Sequence, residues 1–254
     1  MIYGLYLSAT GVLTNSYRQD VIANNLANAQ TVGFKRNLAL FQQRRTEAQE
    51  SGDPQVTNPL LEGIGGGLLL APTAVDLSQG PIEGTGNHLD VAIHGRGFFA
   101  VRNGDDTHLT RNGRFMLDRE GYLALADEAG HRLLDASGKT IALGQVSQSR
   151  VNIAADGAIT VDGQLVTRLA LLDVPDESQL VPNGATLLRG VDVSKLKPAD
   201  GTLAAGYVEN ANVDPMTELT QLIAAQRQLE ANANMIRYQD QTLGKLVNEV
   251  GKIG

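Results

Sequence analysis

Val21-Ile22-Ala23-Asn24-Asn25-Leu26-Ala27-Asn28, continued by Ala29-Gln30-Thr31-Val32-Gly33-Phe34-Lys35, is the stretch whose reading decides the fold. It sets three asparagines around one leucine inside what otherwise scans as an amphipathic helix. Asparagine is a mediocre helix former, because its side chain competes for nearby backbone groups. Asn24 and Asn28 are four apart and share one helix face, while Ala23 and Leu26 point elsewhere, toward a partner. Gly33 can take the left-handed conformation that closes a helix. Physics alone leaves two readings open: a surface helix ending in a polar turn, or half of an interface.

Upstream, Ile2, Leu5, Ala9, Val12, Ala23 and Leu26 recur at helical spacing, with Ser16 and Gln19 breaking the stripe and Tyr3, Tyr6, Leu13 and Tyr17 flanking it. A helix of this length spans about 40 Å. It carries no core of its own and needs a partner. Downstream, Phe34, Leu38 and Phe41 continue as a short helix or an extended arm, so that 1–45 forms an N-terminal helix and arm. Over 46–87 the composition shifts to Asp53-Pro54, Asn58-Pro59 and Gly63 to Gly67, the signature of a linker or extended arm.

Short strands with turn punctuation then dominate, and 88–190 is expected to be an all-β middle domain that folds by itself. Asn112-Gly113, Glu120-Gly121, Asp156-Gly157 and Asp162-Gly163 read as hairpin turns, because Asn-Gly and Asp-Gly tolerate positive φ. Residues 191–211 read as a return linker, and 212–254 as a C-terminal heptad helix. Asp214 suits its N-cap and Pro215 its first position. Leu222, Leu229, Ile236, Leu243 and Val250 recur every seven residues. Leu219, Ala233 and Val247 are read as completing that seam, with Gln226 and Asp240 as polar faults. The fold class is therefore α+β: long terminal helices forming a coiled-coil-like core, with an all-β middle.

Charge and composition narrow the function. The net charge is -7, with an excess of four positive charges over 1–45 and nine negative over 46–206. No basic stripe with interleaved aromatics appears, so no nucleic-acid partner is expected. The chain has no cysteine, which suits a protein leaving the reducing cytoplasm. No apolar run reaches the roughly 20 residues of a membrane-spanning helix. The N-terminus lacks the basic leader of a secretory signal, so an exported chain is expected to keep it. His88, His94, His108 and His131 show no metal-ligand spacing, Gly63 to Gly67 precedes no Gly-Lys-Ser/Thr, and no Ser/His/Asp set is specified. No catalytic residue, metal or cofactor is expected, and the chain is not read as an enzyme.

Ala23 to Asn28 and Thr31 to Lys35 resemble, position by position, a signature of bacterial flagellar rod and hook proteins. Leu89-Asp90-Val91-Ala92-Ile93 with Gly95 to Phe99, and Thr110-Arg111-Asn112-Gly113-Arg114-Phe115, resemble the entry and a hairpin of that family's middle domain. Gly206-Tyr207-Val208-Glu209, Asn212 to Pro215 and Glu218 resemble the approach to its last helix, although Ala211 stands where serine is usual and Leu229 where an aromatic is common. The resemblance implies a structural subunit of the basal-body rod, polymerised in the periplasm after export by the flagellar export apparatus. It implies contacts with itself and with other axial rod and hook proteins, through an assembly motif at Asn24, Asn25, Leu26, Asn28, Gly33, Phe34 and Lys35. The opening Tyr3-Gly4-Leu5-Tyr6 and the segment Leu68 to Ala74 favour the proximal-rod FlgF type over the distal-rod FlgG type. A secreted coiled-coil adhesin is the alternative, and it leaves the clustered rod motifs unexplained.

Overall fold

The structure is a computed structural model that describes residues 2–43, 67–127 and 129–250. The glycine-rich part of the expected linker, from 46 to 66, lies outside the described residues. The chain divides into two compact units. A helical unit takes Met1–Leu26, Asn37–Thr73 and Pro215–Gly254; a β unit takes Ala27–Arg36 and Ala74–Asp214.

In the helical unit, α1 (Ile2–Ala27) and α2 (Pro215–Val250) are antiparallel. Three places fix their register. A Cβ placed on Gly4 would lie 2.8 Å from Gln239 Nε2, and one on Gly11 would lie 2.7 Å from Asn232 Nδ2. Further along, Asn25 Nδ2 approaches Glu218 Oε2 at 3.4 Å. Each step of seven or fourteen residues along α1 is matched by an equal step back along α2. The buried side of α1 is small and polar near its start, with Ser8 and Thr14 buried, and Thr14 Oγ1 returns its hydrogen bond to Thr10 O at 2.9 Å.

This register corrects the expected seam. Leu222, Leu229, Ile236 and Leu243 are half-buried. The row beside it is Glu218, Ala225, Asn232 and Gln239, of which Glu218 and Ala225 are fully enclosed. Of Leu219, Ala233 and Val247, expected from the sequence to complete the seam, Ala233 is half-buried, whereas Leu219 and Val247 are 42% and 71% exposed. The reason is steric. Glycines on α1 bring its backbone close, and polar side chains that reach across fill the space better than branched apolar ones. A short ribbon completes the unit: Phe41–Gln43 pairs antiparallel with Leu68–Leu70, with Phe41 opposite Leu70. Tyr17 anchors it, meeting Phe41 edge-on at 6.2 Å and Thr73 Oγ1 at 2.5 Å.

The β unit is antiparallel throughout. Its main sheet runs in the order Val181–Asn183, Leu187–Arg189, Asp106–Thr110, Phe98–Asn103, Arg132–Leu133, Leu123–Leu125, Phe115–Leu117, and Leu171–Asp173 also pairs with Phe98–Asn103. A three-stranded meander holds Val151–Ile153, Ala158–Val161 and Gln164–Arg168. Phe99, Phe115, Leu123, Leu133 and Ile159 are among the side chains that close the core, the two rings meeting edge-to-face at 5.0 Å.

Glu120-Gly121, Asp156-Gly157 and Asp162-Gly163 turn between paired strands as expected. Asn112-Gly113 does not. The strands on either side of it, Asp106–Thr110 and Phe115–Leu117, lie apart in the sheet. Gly113 is instead a close-approach position, where a Cβ would fall 1.7 Å from Val91 O. The expected return linker is also partly strand: Thr202–Ala205 pairs with Val91–His94, and Tyr207–Glu209 with Ile82–Gly84.

Candidate functional site

The opening stretch is divided between the two units. Asn25 belongs to the helical unit and is 1% exposed. Its amide closes both backbone groups of Asn37, Nδ2 donating to Asn37 O at 2.9 Å and Oδ1 accepting from Asn37 N at 2.8 Å. Both backbone groups of Asn37 are thereby satisfied beside the helix. Asn24 is exposed, and its Oδ1 accepts from Asn37 Nδ2 at 3.2 Å. Leu26 is half-buried.

From Ala27 the chain enters the β unit. Thr31 N donates to Asn28 O at 2.9 Å and Thr31 Oγ1 to Asn28 Oδ1 at 3.2 Å, shaping the turn that follows α1. Gly33 then adopts φ +71°, and a Cβ there would stand 2.3 Å from Asn112 N. Only glycine fits both demands. Its N–H donates to Glu209 O at 2.7 Å. Phe34, 1% exposed, packs with Ala29, Ala211 and Val213. Arg36 N donates to Asn212 Oδ1 at 2.8 Å, and Arg36 O accepts from Asp76 N at 2.8 Å.

Beneath these contacts lies a buried charge cluster. Glu209 is 0% exposed. Its Oε1 accepts from Lys35 Nζ at 2.6 Å and from Gly80 N at 2.9 Å, and its Oε2 from Arg111 Nη1 at 3.2 Å. Lys35 Nζ also donates to Ser78 O at 2.7 Å, and Arg111 Nη2 to Gly95 O at 2.9 Å. The Arg111 guanidinium lies 5.2 Å from the centre of the Phe98 ring. Burial pulls the Lys35 ammonium below its ordinary pKa, and the Glu209 carboxylate opposes that shift. One carboxylate thus faces two cations in a dry site, so its removal is far more costly than its presence is stabilising.

Residue type alone signalled Gly33, while Phe34 and Lys35 entered through the family resemblance. Glu209 and Arg111 appeared only as parts of wider motifs, because a charged side chain reads as surface until its partners, here 174 and 98 residues distant, are known. At the start of α2, Pro215 is the first helical residue and Asp214 the residue immediately before it. Leu222, Leu229, Ile236 and Leu243 line the row described above, and Val250 is the last residue of the helix.

His108 and His131 form a second polar group, with rings edge-on at 5.8 Å, His108 Nε2 2.7 Å from Asn183 Nδ2, and His131 Nδ1 2.6 Å from Asp127 Oδ2. Among the described residues no set of three acidic or histidine side chains is placed to hold a metal ion. No helix there is long and apolar enough to cross a membrane.

The exposed apolar surface is unevenly spread. Of the 20 large apolar side chains exposed among the described residues, 15 lie in the helical unit. Leu68, Leu69 and Leu70 are 45%, 49% and 52% exposed, and Leu13 and Tyr238 exceed 60%.

Comparison with known proteins matches three family models: a flagella basal body rod protein model at residues 5–35, a flagellar hook protein FlgE/F/G D1 domain at 92–161, and a flagellar basal body rod FlgEFG protein C-terminal model at 204–249. The chain is 32% identical to the flagellar basal-body rod protein FlgG of Bacillus subtilis, over 98% of this chain and 99% of that one. It is also 32% identical to the rod protein FlgF of Caulobacter vibrioides, over 98% of each chain. With FlgG of Buchnera aphidicola from Schizaphis graminum the identity is 33%, covering 97% of this chain and 99% of that one. Identity does not separate the FlgF from the FlgG type.

Proposed function

The chain belongs to the flagellar basal-body rod protein family, and from that premise we propose that its helical unit is the polymerising element of a rod subunit. The protein is a structural component of the flagellar basal body and not an enzyme. The observation that carries the proposal is the concentration of exposed apolar side chains on α1, α2 and the Phe41–Gln43/Leu68–Leu70 ribbon. A surface of that kind is expected of a protein that buries it against neighbours. In the rod, helices of successive subunits pack into a coiled-coil-like core through these side chains, and head-to-tail contacts that do not close give a helical filament. The β units form an outer layer. Neighbours are further copies of this chain and other axial rod and hook proteins, and the filament carries torque from motor to hook.

The assembly motif divides accordingly. Asn24, exposed beside Asn37, is the asparagine positioned to reach a neighbour, whereas Asn25, Gly33, Phe34 and Lys35 build the subunit. The subunit reaches the periplasm through the flagellar export apparatus, and the opening Tyr3-Gly4-Leu5-Tyr6 supports a proximal, FlgF-type position.

Purified full-length protein tests this. Concentrated under conditions that favour apolar burial, it is expected to form rod-like particles visible by negative-stain electron microscopy. A purified protein that stays monomeric at every concentration, together with basal bodies that complete in a strain lacking the gene, would remove the proposal. Basal bodies that stall before the distal rod in the deletion strain support the proximal position.

A further inference from the structure

Four consecutive residues, Gly33 to Arg36, are each held by groups from other parts of the β unit. Gly33 is recognised by backbone approach to Asn112 and by Glu209 O, Phe34 by the Ala211–Val213 pocket, Lys35 by the Glu209 carboxylate and Ser78 O, and Arg36 by Asn212 and Asp76. Main-chain bonds at its two ends, Gly33 and Arg36, and side-chain pockets for Phe34 and Lys35 between them hold this short segment in the manner in which peptide-binding domains take a ligand. Here the ligand is covalently attached.

We infer that the β unit carries a peptide-recognition site for a Gly-Phe-Lys segment entered through a left-handed glycine, filled in this structure by residues 33–36, with Glu209 as its specificity-determining residue. The chemistry is that of an amino-group receptor. A buried carboxylate, preset by Gly80 N and Arg111, accepts the ammonium of a lysine whose neighbouring glycine and phenylalanine set the depth and register. Three of the reading groups, Glu209, Ala211 and Asn212, come from the segment just before α2, and a fourth, Arg111, from the end of strand Asp106–Thr110. The β unit is therefore complete only when a segment from the N-terminal side of the chain has docked.

The charge count gives the site an asymmetric signature. With Lys35 removed, Glu209 keeps Arg111 and Gly80 N. With Glu209 neutralised, Lys35 and Arg111 are left as two buried cations without an anion, the costlier defect. Removing Lys35 as well then relieves part of the damage, which a site of independent contacts cannot do.

The test uses the full-length chain and amide hydrogen exchange, comparing wild type, Lys35→Met, Glu209→Gln and the double variant. Glu209→Gln is expected to accelerate exchange at 31–36, 78–80 and 207–213 by about 100-fold, Lys35→Met by less, and the double variant by at least tenfold less than Glu209→Gln. Strands Phe98–Asn103 and Leu123–Leu125 are expected to keep wild-type protection. Acceleration spread evenly through the β unit would overturn the inference, since it would mark Glu209 as a general stabiliser. A double variant no better protected than Glu209→Gln would overturn it too, because Lys35 and Glu209 would then be uncoupled. Should Glu209→Gln fail to fold, Phe34→Ala supplies the same contrast: exchange accelerated only around 31–36 and 207–213 supports the site, and exchange accelerated evenly through the β unit overturns it.

Discussion

Asn25 shows how one side chain can be essential through geometry alone. Its amide supplies both the donor and the acceptor that Asn37 lacks. Asn25→Ala leaves both backbone groups unmatched and is expected to cost about 2 kcal/mol. Asn25→Asp is expected to cost more at neutral pH. The carboxylate still accepts from Asn37 N, but it faces Asn37 O without a proton and adds a charge near Glu218. Urea denaturation at pH 7 and pH 4.5 separates the two, since only the aspartate variant recovers part of its loss in acid. His108 sets a pH dependence of its own. Burial, and after it the neighbouring His131, holds His108 below the ordinary histidine pKa, so the folded state binds that proton less readily than the unfolded chain does. The contribution is intact above about pH 6.5 and is lost as pH falls from there toward the lowered value, with a slope of at most about 1.4 kcal/mol per pH unit. Thermal midpoints between pH 7.5 and 5.5 are expected to fall in wild type and to flatten in His108→Gln; an unchanged slope in the variant would remove the assignment. Neither residue's role can be read locally from the chain. Asn25 reads as a poor helix former, and the partners of His108 come from another strand pair.

At the scale of elements, the strands were readable because period-two alternation and Gly-containing turns are local signals. Val151–Ile153 and Ala158–Val161 stand where alternation puts them. Sheet order is not local, and Asn112-Gly113 shows the failure. The dipeptide suits a hairpin, yet it links strands that are not neighbours, because its glycine is needed where the chain passes against Val91. The helices failed in a related way. The leucine row from Leu222 to Leu243 was legible; the row beside it was not, since Asn232 and Gln239 read as solvent-facing until Gly4 and Gly11 are seen opposite them. That pairing yields a prediction for the helices alone. Gly11→Leu forces the backbones apart and is expected to destabilise by about 1–3 kcal/mol. Gly11→Ala meets only the flexible end of Asn232, so Gly11→Ala with Asn232→Ala is expected to exceed Gly11→Ala in stability as the helix gains propensity without the clash. Thermal unfolding of the three variants checks the order, and equal midpoints for the last two would contradict the register.

For the whole molecule, the division of exposed apolar surface bears on what drives assembly. The net charge of -7 makes like subunits repel at long range, so any attraction between copies has to come from short-range burial. The leucine run at 68–70 is its densest exposed piece, and among the described residues it sits on a ribbon of only two strands. Replacing Leu68, Leu69 and Leu70 by serine removes that surface without touching the core of the β unit or the contacts of Asn25. The triple variant is therefore expected to remain a folded monomer with wild-type amide protection in Phe98–Asn103, while its critical concentration for polymerisation rises at least tenfold. Salt supplies a second check on the same cause. Sodium chloride screens the repulsion and is expected to promote assembly modestly, whereas sulfate, which strengthens apolar burial, is expected to promote it more at matched ionic strength. In the triple variant the sulfate advantage should shrink while the chloride effect persists. Light scattering across both salts distinguishes the cases: a sulfate advantage undiminished by the three serines would mean that the ribbon is not part of the contact, and would shift the apolar role to the exposed rows of α1 and α2.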